Sequence, residues 1–292
     1  MALNGPRAPW FLRRALAALG VALAAGLAMG QGYTPTTDLG QVGLPDQAAG
    51  AALLEQFRRS VNAEPFYLEF ELHALPRRGN EQVFRGRLWG ARNDRGPITR
   101  IGVTGADGRE RRFLVQGGLE GGIWRSEGAA GAVADPSGLM KPLIPGVETT
   151  AFDLQMPFVY WPEPGLVGVQ RIRGRPSYCF IFRPPADFAA RFPGLSGVRA
   201  YLDAEYPAPV QFELIGPDGK VAKTWSLLDL KKIGGRWIVK EVDVRNEATR
   251  DKTRFLVTGA ALGIKPAAGL FDPARLAEAP PPLVEQIVPI AP

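Results

Sequence analysis

From Phe66 onward the chain alternates apolar and polar residues with a period of two. Phe66, Leu68, Phe70 and Leu72 fall on one phase, and Tyr67, Glu69, Glu71 and His73 on the other. A strand with one buried face requires this pattern. Turn-forming clusters at Arg77-Arg78-Gly79-Asn80, Asn93-Asp94-Arg95-Gly96 and Ala106-Asp107-Gly108 then separate strand segments at 83–91, 98–104 and 109–116, with a short one around Trp124. Asp-Gly between alternating segments is a hairpin signal, so neighbouring strands pair antiparallel in a meander. The rhythm resumes at 167–173, 178–183, 198–203, 209–215, 221–230, 237–246 and 253–258, with hairpins at Pro217-Asp218-Gly219-Lys220 and Gly234-Gly235. The pattern predicts a mainly β fold with few helices, in which about eleven antiparallel strands form one long curved sheet or barrel.

Two stretches depart from period two. Ala48, Ala49, Ala52, Leu53, Phe57 and Val61 recur at helical spacing behind Asp46, a good N-cap, which predicts an amphipathic helix over 46–60. Residues 127–164 are rich in Gly, Pro and Ala and then carry Phe152, Leu154, Phe158, Tyr160 and Trp161. A long apolar loop of this kind predicts short helical turns that plug a core or cover a site. The tail after Lys265 contains Pro280-Pro281-Pro282 and is expected to be extended, outside the sheet.

The N-terminus has the layout of a secretory signal peptide: Arg7, Arg13 and Arg14, an apolar run over 15–29, and Ala28-Met29-Gly30 as a small-x-small cleavage pattern. A spanning anchor needs about 20 strongly apolar residues, and this shorter Ala/Gly-rich run favours cleavage near Gly30. The Arg13-Arg14 pair leaves the choice of export route open. The expected layout is therefore a signal peptide at 1–30, a flexible lead at 31–45, a β domain at 46–264 and a proline-rich tail at 265–292, with a periplasmic destination.

Catalytic equipment is sparse. His73 is the single histidine and Cys179 the single cysteine of 292 residues. No intramolecular disulfide or multi-cysteine metal site can form, and a Ser-His-Asp site has one candidate base on the polar phase of a strand. Cys179, in the run Tyr178-Cys179-Phe180-Ile181-Phe182, reads as a small buried hydrophobe. The glycines around Gly117 and Gly121 form no phosphate loop, since no Lys-Ser/Thr follows them. A carboxylate hydrolase stays open, with Asp153 and Glu163 beside the aromatic loop as its pair. No cofactor or metal is expected, and the chain is expected not to be an enzyme.

Charge is unevenly placed. The net charge is +6, and ten arginines lie between Arg77 and Arg112, opposed there by Glu81, Asp94, Asp107 and Glu110. The run reads as the solvated face of several strands, or as a surface drawn to anionic lipid headgroups. Nucleic acid is a poor partner for an exported chain, and a monomer is expected.

The interior is more informative. Trp89, Trp124, Trp161, Trp225 and Trp237 lie in or beside strand segments or the apolar loop, and Phe70, Phe84, Phe113, Phe180, Phe182 and Phe212 fall in strands. These side chains build an ordinary core, or, in a sheet too wide to fill its own interior, they line a cavity for an acyl chain.

From residue 152 to 258 the sequence resembles the LolA-like family of outer-membrane lipoprotein-sorting proteins. The resemblance rests on Phe152-Asp153-Leu154 near Tyr160-Trp161, on Arg171-Ile172-Arg173-Gly174-Arg175-Pro176-Ser177-Tyr178, on Ala200-Tyr201-Leu202-Asp203 leading to Pro209-Val210-Gln211-Phe212-Glu213, and on the hairpin Gly216-Pro217-Asp218-Gly219-Lys220-Val221. Trp237-Ile238-Val239-Lys240 leading to Asn246-Glu247-Ala248-Thr249 and Lys252-Thr253 completes it. The resemblance implies a curved antiparallel half-barrel covered by helices, with a hydrophobic cavity that holds lipid. The Gly/Ala segment at 128–138 and the proline tail depart from the family pattern.

These readings converge on a periplasmic carrier or binding protein for a lipid or an acylated protein, involved in outer-membrane lipoprotein sorting. Phe70, Phe84, Leu88, Phe180, Phe182, Phe212 and Trp225 are the expected cavity lining, and Phe152, Leu154, Phe158 and Trp161 the expected lid. The alternative is an envelope sensor of the same fold that binds a protein partner.

Overall fold

The computed structural model describes residues 41–43, 45–118, 121–127 and 131–291. The expected signal peptide and residues 31–40 lie outside the described residues. Among the described residues, fifteen strands form one antiparallel sheet: β1 (Gln41–Gly43), β2 (Phe66–Leu75), β3 (Gln82–Asn93), β4 (Gly96–Thr104), β5 (Glu110–Gln116), β6 (Gly122–Glu127), β7 (Val133–Ala134), β8 (Gly165–Ile172), β9 (Arg175–Phe182), β10 (Gly197–Asp203), β11 (Pro209–Ile215), β12 (Val221–Ile233), β13 (Arg236–Asn246), β14 (Lys252–Leu262) and β15 (Val288–Pro289). The twelve longer strands are those the alternation predicts. The three additional ones, β1, β7 and β15, are two or three residues long, too short to show a period.

The order is β1-β8-β9-β10-β11-β12-β13-β14-β2-β3-β4-β5-β6-β7, with β15 on β14. The chain thus makes two meanders, β2 to β7 and β8 to β14. They become one sheet where β14 pairs with β2, from Lys252↔Leu75 to Leu262↔Phe66. The sheet is open, since the ordered path has two ends. It cannot be flat. Eight strand spacings separate β4 from β9, about 38 Å at about 4.8 Å per spacing. Yet Gln155 accepts a hydrogen bond from Thr99 of β4 at 2.7 Å, and Phe158 lies 5.4 Å from Phe182 of β9, ring to ring. Three residues of chain reach at most about 11 Å, so the two wings must curl toward each other. This is the half-barrel expected from the sequence.

Helix α1 (Gln47–Ser60) covers one wing. Asp46 caps it, accepting from the Ala49 amide at 3.0 Å. It buries Leu53, Leu54 and Phe57 in the main core. At Gly50 a β-carbon would stand 2.5 Å from Leu166 and 3.5 Å from Phe180, so glycine lets the helix sit close on β8 and β9. Helices α2 (Ala151–Gln155) and α3 (Ala186–Arg191) lie in the connections before β8 and after β9.

The lead and tail differ from expectation. Gln41–Gly43, placed by the sequence in a flexible lead, pairs with β8. The tail, expected to stay outside the sheet, joins it at β15. Residues 236–240 of β13 pair only with β12, while β13 meets β14 only over Glu241–Arg245. The side of β14 left free around Gly259 and Ala260 is taken by Pro289 and Val288. The next residue, Ile290, donates its amide to Thr258 at 2.9 Å and is buried in the main core. Proline lacks an amide donor, which suits an edge position.

Between β14 and β15 the tail crosses the convex face. Leu270 packs with Tyr67, Trp89, Ala261 and Ile264, and Leu276 with Ala91, Ile98 and Leu114. Strand β4 is consequently buried on both faces. The buried Arg100 side chain donates to the carbonyls of Leu270, Leu276 and Glu278 at 3.0, 3.2 and 2.6 Å. Replacing it with methionine strands three carbonyls at once. Each charged hydrogen bond is worth about 1.5–3 kcal/mol, and their losses overlap. Arg100→Met is expected to lower stability by about 3 kcal/mol in urea unfolding and to make residues 270–290 the first target of limited proteolysis.

Candidate functional site

The concave face is the site to which the sequence points, and the segment Thr150–Trp161 fills it. Thr150 caps α2 and accepts from the Asp153 amide, while Asp153 accepts in return from the Thr150 amide at 2.8 Å, a reciprocal capping box. Met156 then turns through the left-handed region (φ 47°) into a tight helical turn over Pro157–Tyr160. Backbone in that region is uncommon for a non-glycine residue, and here it marks the junction between α2 and the following turn.

The two pieces are held differently. Helix α2 is fixed by buried polar bonds to the sheet. Lys223 of β12 donates to Asp153 at 3.0 Å and to the Glu148 carbonyl at 2.8 Å, and the Asp153 side chain has no solvent exposure. Gln155 accepts from Thr99 and donates to the Pro97 carbonyl at 3.0 Å. The following turn is held by α1 and by packing. Arg58 donates to the Val159 carbonyl at 2.5 Å, Tyr160 donates to the Arg58 carbonyl at 3.1 Å, and Arg92 donates to the carbonyls of Val61 and Arg58.

Its aromatic rings continue into the sheet. Phe188 of α3 meets Trp161 at 4.9 Å and Phe152 at 6.0 Å. Phe158 meets Phe152 at 5.8 Å, Phe182 at 5.4 Å and Phe212 at 5.1 Å. Phe212 is stacked on Trp225 at 4.9 Å, with the rings 14° apart. Aromatic contacts of this geometry add modestly to the area they bury. The expected lid residues Phe152, Phe158 and Trp161 are therefore brought together with Phe180, Phe182, Phe212 and Trp225 of the expected lining, in one buried cluster.

Space remains on both sides of this plug. An inner cavity of about 60 Å³ is bounded by Leu88, Leu154, Met156, Trp225, Val242 and Phe255, with Asn62, Thr99, Thr149 and Asp153 as its polar lining. An outer cleft of about 450 Å³ runs between β5, β6 and β7 on one wing and α3 on the other, floored by Gln155, Pro157, Tyr160 and Trp161. Asp153, Leu154 and Met156 face the cavity while Gln155 and Pro157 face the cleft, so the segment is the wall between them. Of the expected lining, Leu88 and Trp225 border the cavity, as does the expected lid residue Leu154. Phe182 and Phe212 lie under Phe158 of the plug, and Phe180 lies beside Phe182 and under α1 at Gly50. Phe70 and Phe84 are buried in the sheet's core and line neither space, Phe70 lying behind the cavity wall residue Phe255. The reason for Phe70 is local: Gly86 of β3 has no side chain, and the Phe70 ring lies over it, stacked on Phe255 at 4.7 Å.

The polar members of this site were not legible as a set. Thr150-x-x-Asp153 is readable as a helix start, but its pairing with Lys223 spans 70 residues of sequence. The two carboxyls considered for hydrolysis stand in different surroundings, Asp153 being buried and ion-paired and Glu163 exposed. His73 lies on the opposite face of β2 between Glu71 at 3.0 Å and Glu81 at 2.5 Å. Among the described residues there is no group of three or more His, Cys, Asp or Glu that could hold a metal ion, and no helix is long and apolar enough to cross a membrane. Several arginines of the basic run are engaged: Arg87 and Arg112 with Glu110, Arg85 with Glu71 and Arg111 with Asp107.

Cys179 lies on the other side of β9 from the plug, in a small cluster with Ile172, Tyr201 and Val210. Burial pushes its thiol up to about 11, so the reactive thiolate is scarcer at neutral pH than in a free cysteine. Native protein at pH 8 is expected to resist alkylation by iodoacetamide for hours, and to be labelled within minutes in urea. Rapid native labelling would contradict this placement.

Comparisons with known proteins bear on the fold. A family model described as that of an uncharacterized protein matches residues 169–278. A search among curated proteins finds no match. Among solved structures, a DUF1329 family protein from Desulfovibrio piger aligns with a TM-score of 0.66 at 15% identity, covering 78% of this chain and 98% of that one. A domain assigned as an outer membrane lipoprotein-sorting protein, from Vibrio parahaemolyticus, aligns with a TM-score of 0.66 at 14% identity, covering 79% and 100%. A LolA superfamily protein from Nitrosomonas europaea aligns with a TM-score of 0.59 at 14% identity, covering 74% and 94%. The open antiparallel sheet with its plugged concave face thus has the LolA-like fold.

Proposed function

We propose that this chain is a periplasmic carrier that binds an acyl chain, of a lipid or of a lipidated protein, on the concave face of its sheet. The observation that carries this reading is the seat of Phe158. An aromatic side chain from a twelve-residue connecting segment, rather than from the sheet itself, fills the space over Phe182 and Phe212. Helix α2 is anchored by buried polar bonds to the sheet, residues 157–161 are tied to α1 by the bonds of Arg58 and Tyr160, and Met156, with its positive φ, stands between the two. Swinging residues 157–161 outward about Met156 joins the inner cavity to the outer cleft. The combined space falls in the range of about 300–1,000 Å³ usual for small-molecule sites. An acyl chain then replaces the Phe158 and Trp161 rings on the same apolar surface.

Two further points support the reading. The first thirty residues have the form of an export signal, and one relative in fold is assigned to outer membrane lipoprotein sorting. Catalysis is not part of the reading. A second reading is favoured by the outer cleft alone: Trp124, Leu139 and Phe188 line it without displacement of the plug, and a protein partner would meet them there, as an envelope sensor requires.

The test is acyl binding by native mass spectrometry, with a fluorescent C12–C16 fatty-acid analogue as second probe. Wild type is expected to take up one chain per protein. Phe158→Ala removes the ring that occupies the site. It should cost about 3 kcal/mol of stability in the free protein, and bind the probe several-fold more tightly. Wild type and Phe158→Ala that both remain free of lipid would reject the carrier reading and leave the cleft as the functional surface.

A further inference from the structure

The inner cavity is apolar except at two places, of which one, Asn62 with Thr99, is occupied by hydrogen bonds to the Ile98 carbonyl, to each other and to Gln155. Phe66, Leu68, Leu88, Trp225, Val242 and Phe255 supply most of its wall, but Thr149 and Asp153 also border it. Both are fully buried. The second carboxylate oxygen of Asp153, Oδ1, and the hydroxyl of Thr149 make no hydrogen bond among the described residues. The contrast within Asp153 is sharp. Its Oδ2 accepts from Lys223, from the Thr150 amide and from the Thr150 hydroxyl, while Oδ1 has no donor. A buried polar group without a partner is costly, and such groups are rare enough in folded proteins to call for a reason.

We infer that this pair receives a hydrogen-bond donor on the ligand, and that the site selects acyl or alkyl chains carrying a hydroxyl or an amide N–H over free carboxylates and simple esters. The inference rests on the acyl-binding reading above and names the ligand class of the same site. The route is continuous: the seat of Phe158 adjoins Phe212, Phe212 is stacked on Trp225, and Trp225 lines the cavity. A chain laid along that row brings its polar group to Thr149 and Asp153. Helix α2 stays in place as residues 157–161 move, because the bonds from Lys223 and Thr99 hold it on the near side of Met156. Asp153 Oδ1 can only accept, and the Thr149 hydroxyl can accept or donate, so a ligand hydroxyl or amide answers both: its oxygen accepts from Thr149, which holds its O–H or N–H on Oδ1, and without the Thr149 hydroxyl that donor is not held in place. An ester brings no donor. A free carboxylate brings a second anion beside Asp153 with the Lys223 ammonium already engaged on Oδ2 and the Glu148 carbonyl.

The test uses four C12 probes on the purified protein: 1-dodecanol, dodecanamide, methyl dodecanoate and dodecanoate, each in competition for the fluorescent analogue. Wild type is expected to bind the alcohol and the amide about tenfold or more tightly than the ester and the acid. Thr149→Val keeps the shape and removes the hydroxyl. It should narrow the preference to less than threefold while leaving Tm unchanged or higher, since the lost hydroxyl has no partner in the free protein. Thr149→Ser should restore the preference. Equal binding of all four probes by wild type, or an undiminished preference in Thr149→Val, overturns the inference while leaving the carrier reading standing. Failure of every probe, together with the fluorescent analogue, to bind overturns both.

Discussion

The constraint on which the rest depends is the width of the sheet. A closed barrel of about eight strands is just filled by its own side chains, and this sheet runs to fourteen strands along one hydrogen-bonded path. Its concave face is lined with buried apolar residues from both meanders, and a sheet wider than a filled barrel leaves space that its own side chains do not fill. Something from outside the sheet has to fill that space. In this chain the filler is α1 on one wing and the segment Thr150–Trp161 in the middle. The capping box, the Lys223–Asp153 pair and the Arg58 contacts follow from that need, since a short segment buried in a groove must satisfy its own backbone.

The convex face answers a related problem. A strand such as β4 can be buried on both faces only if something covers its outer side, and the C-terminal tail does this with Leu270, Leu276 and the carbonyls that Arg100 binds. The same tail fills the opening where β13 leaves β14, ending with Ile290 in the main core. The two ends of the domain are thus tied by long-range contacts: β14 to β2, and the tail to β2, β3 and β4. Such topology requires most of the chain to be in place before its contacts are made.

These long-range ties explain what could be read in the sequence. The twelve main strands, α1 and the apolar plug were legible because each is written in a local period or in turn chemistry. The alternation also placed Tyr67 and His73 on the outer face of β2. It did not show that Tyr67 and Trp89 pack under the tail while His73 remains beside two glutamates, because tail coverage is not a local property. Phe70 and Phe84 carried the right phase for the concave face and yet do not line the open space; which core residues border a cavity depends on neighbours such as Gly86, across the sheet. The Lys223–Asp153 pair and the unpartnered Thr149 have no sequence signature at all.

If the proposed acyl chain is the ligand, the energetics of the plug suit one that must be both held and released. A C16 chain buried at about 0.8 kcal/mol per methylene gains about 12 kcal/mol. Moving Phe158 and Trp161 out of their seats costs about 3 kcal/mol each, and the half-buried Tyr160 less, about 7 kcal/mol in all. The difference is a few kcal/mol. A preformed empty groove would have kept the whole gain and released the chain more slowly, and it would also have exposed a broad apolar surface in the free state. Filling the groove with the protein's own aromatic rings removes both difficulties. On the proposed acyl-binding reading, the rings substitute for the ligand when it is absent, and their return offsets part of the cost of letting it go.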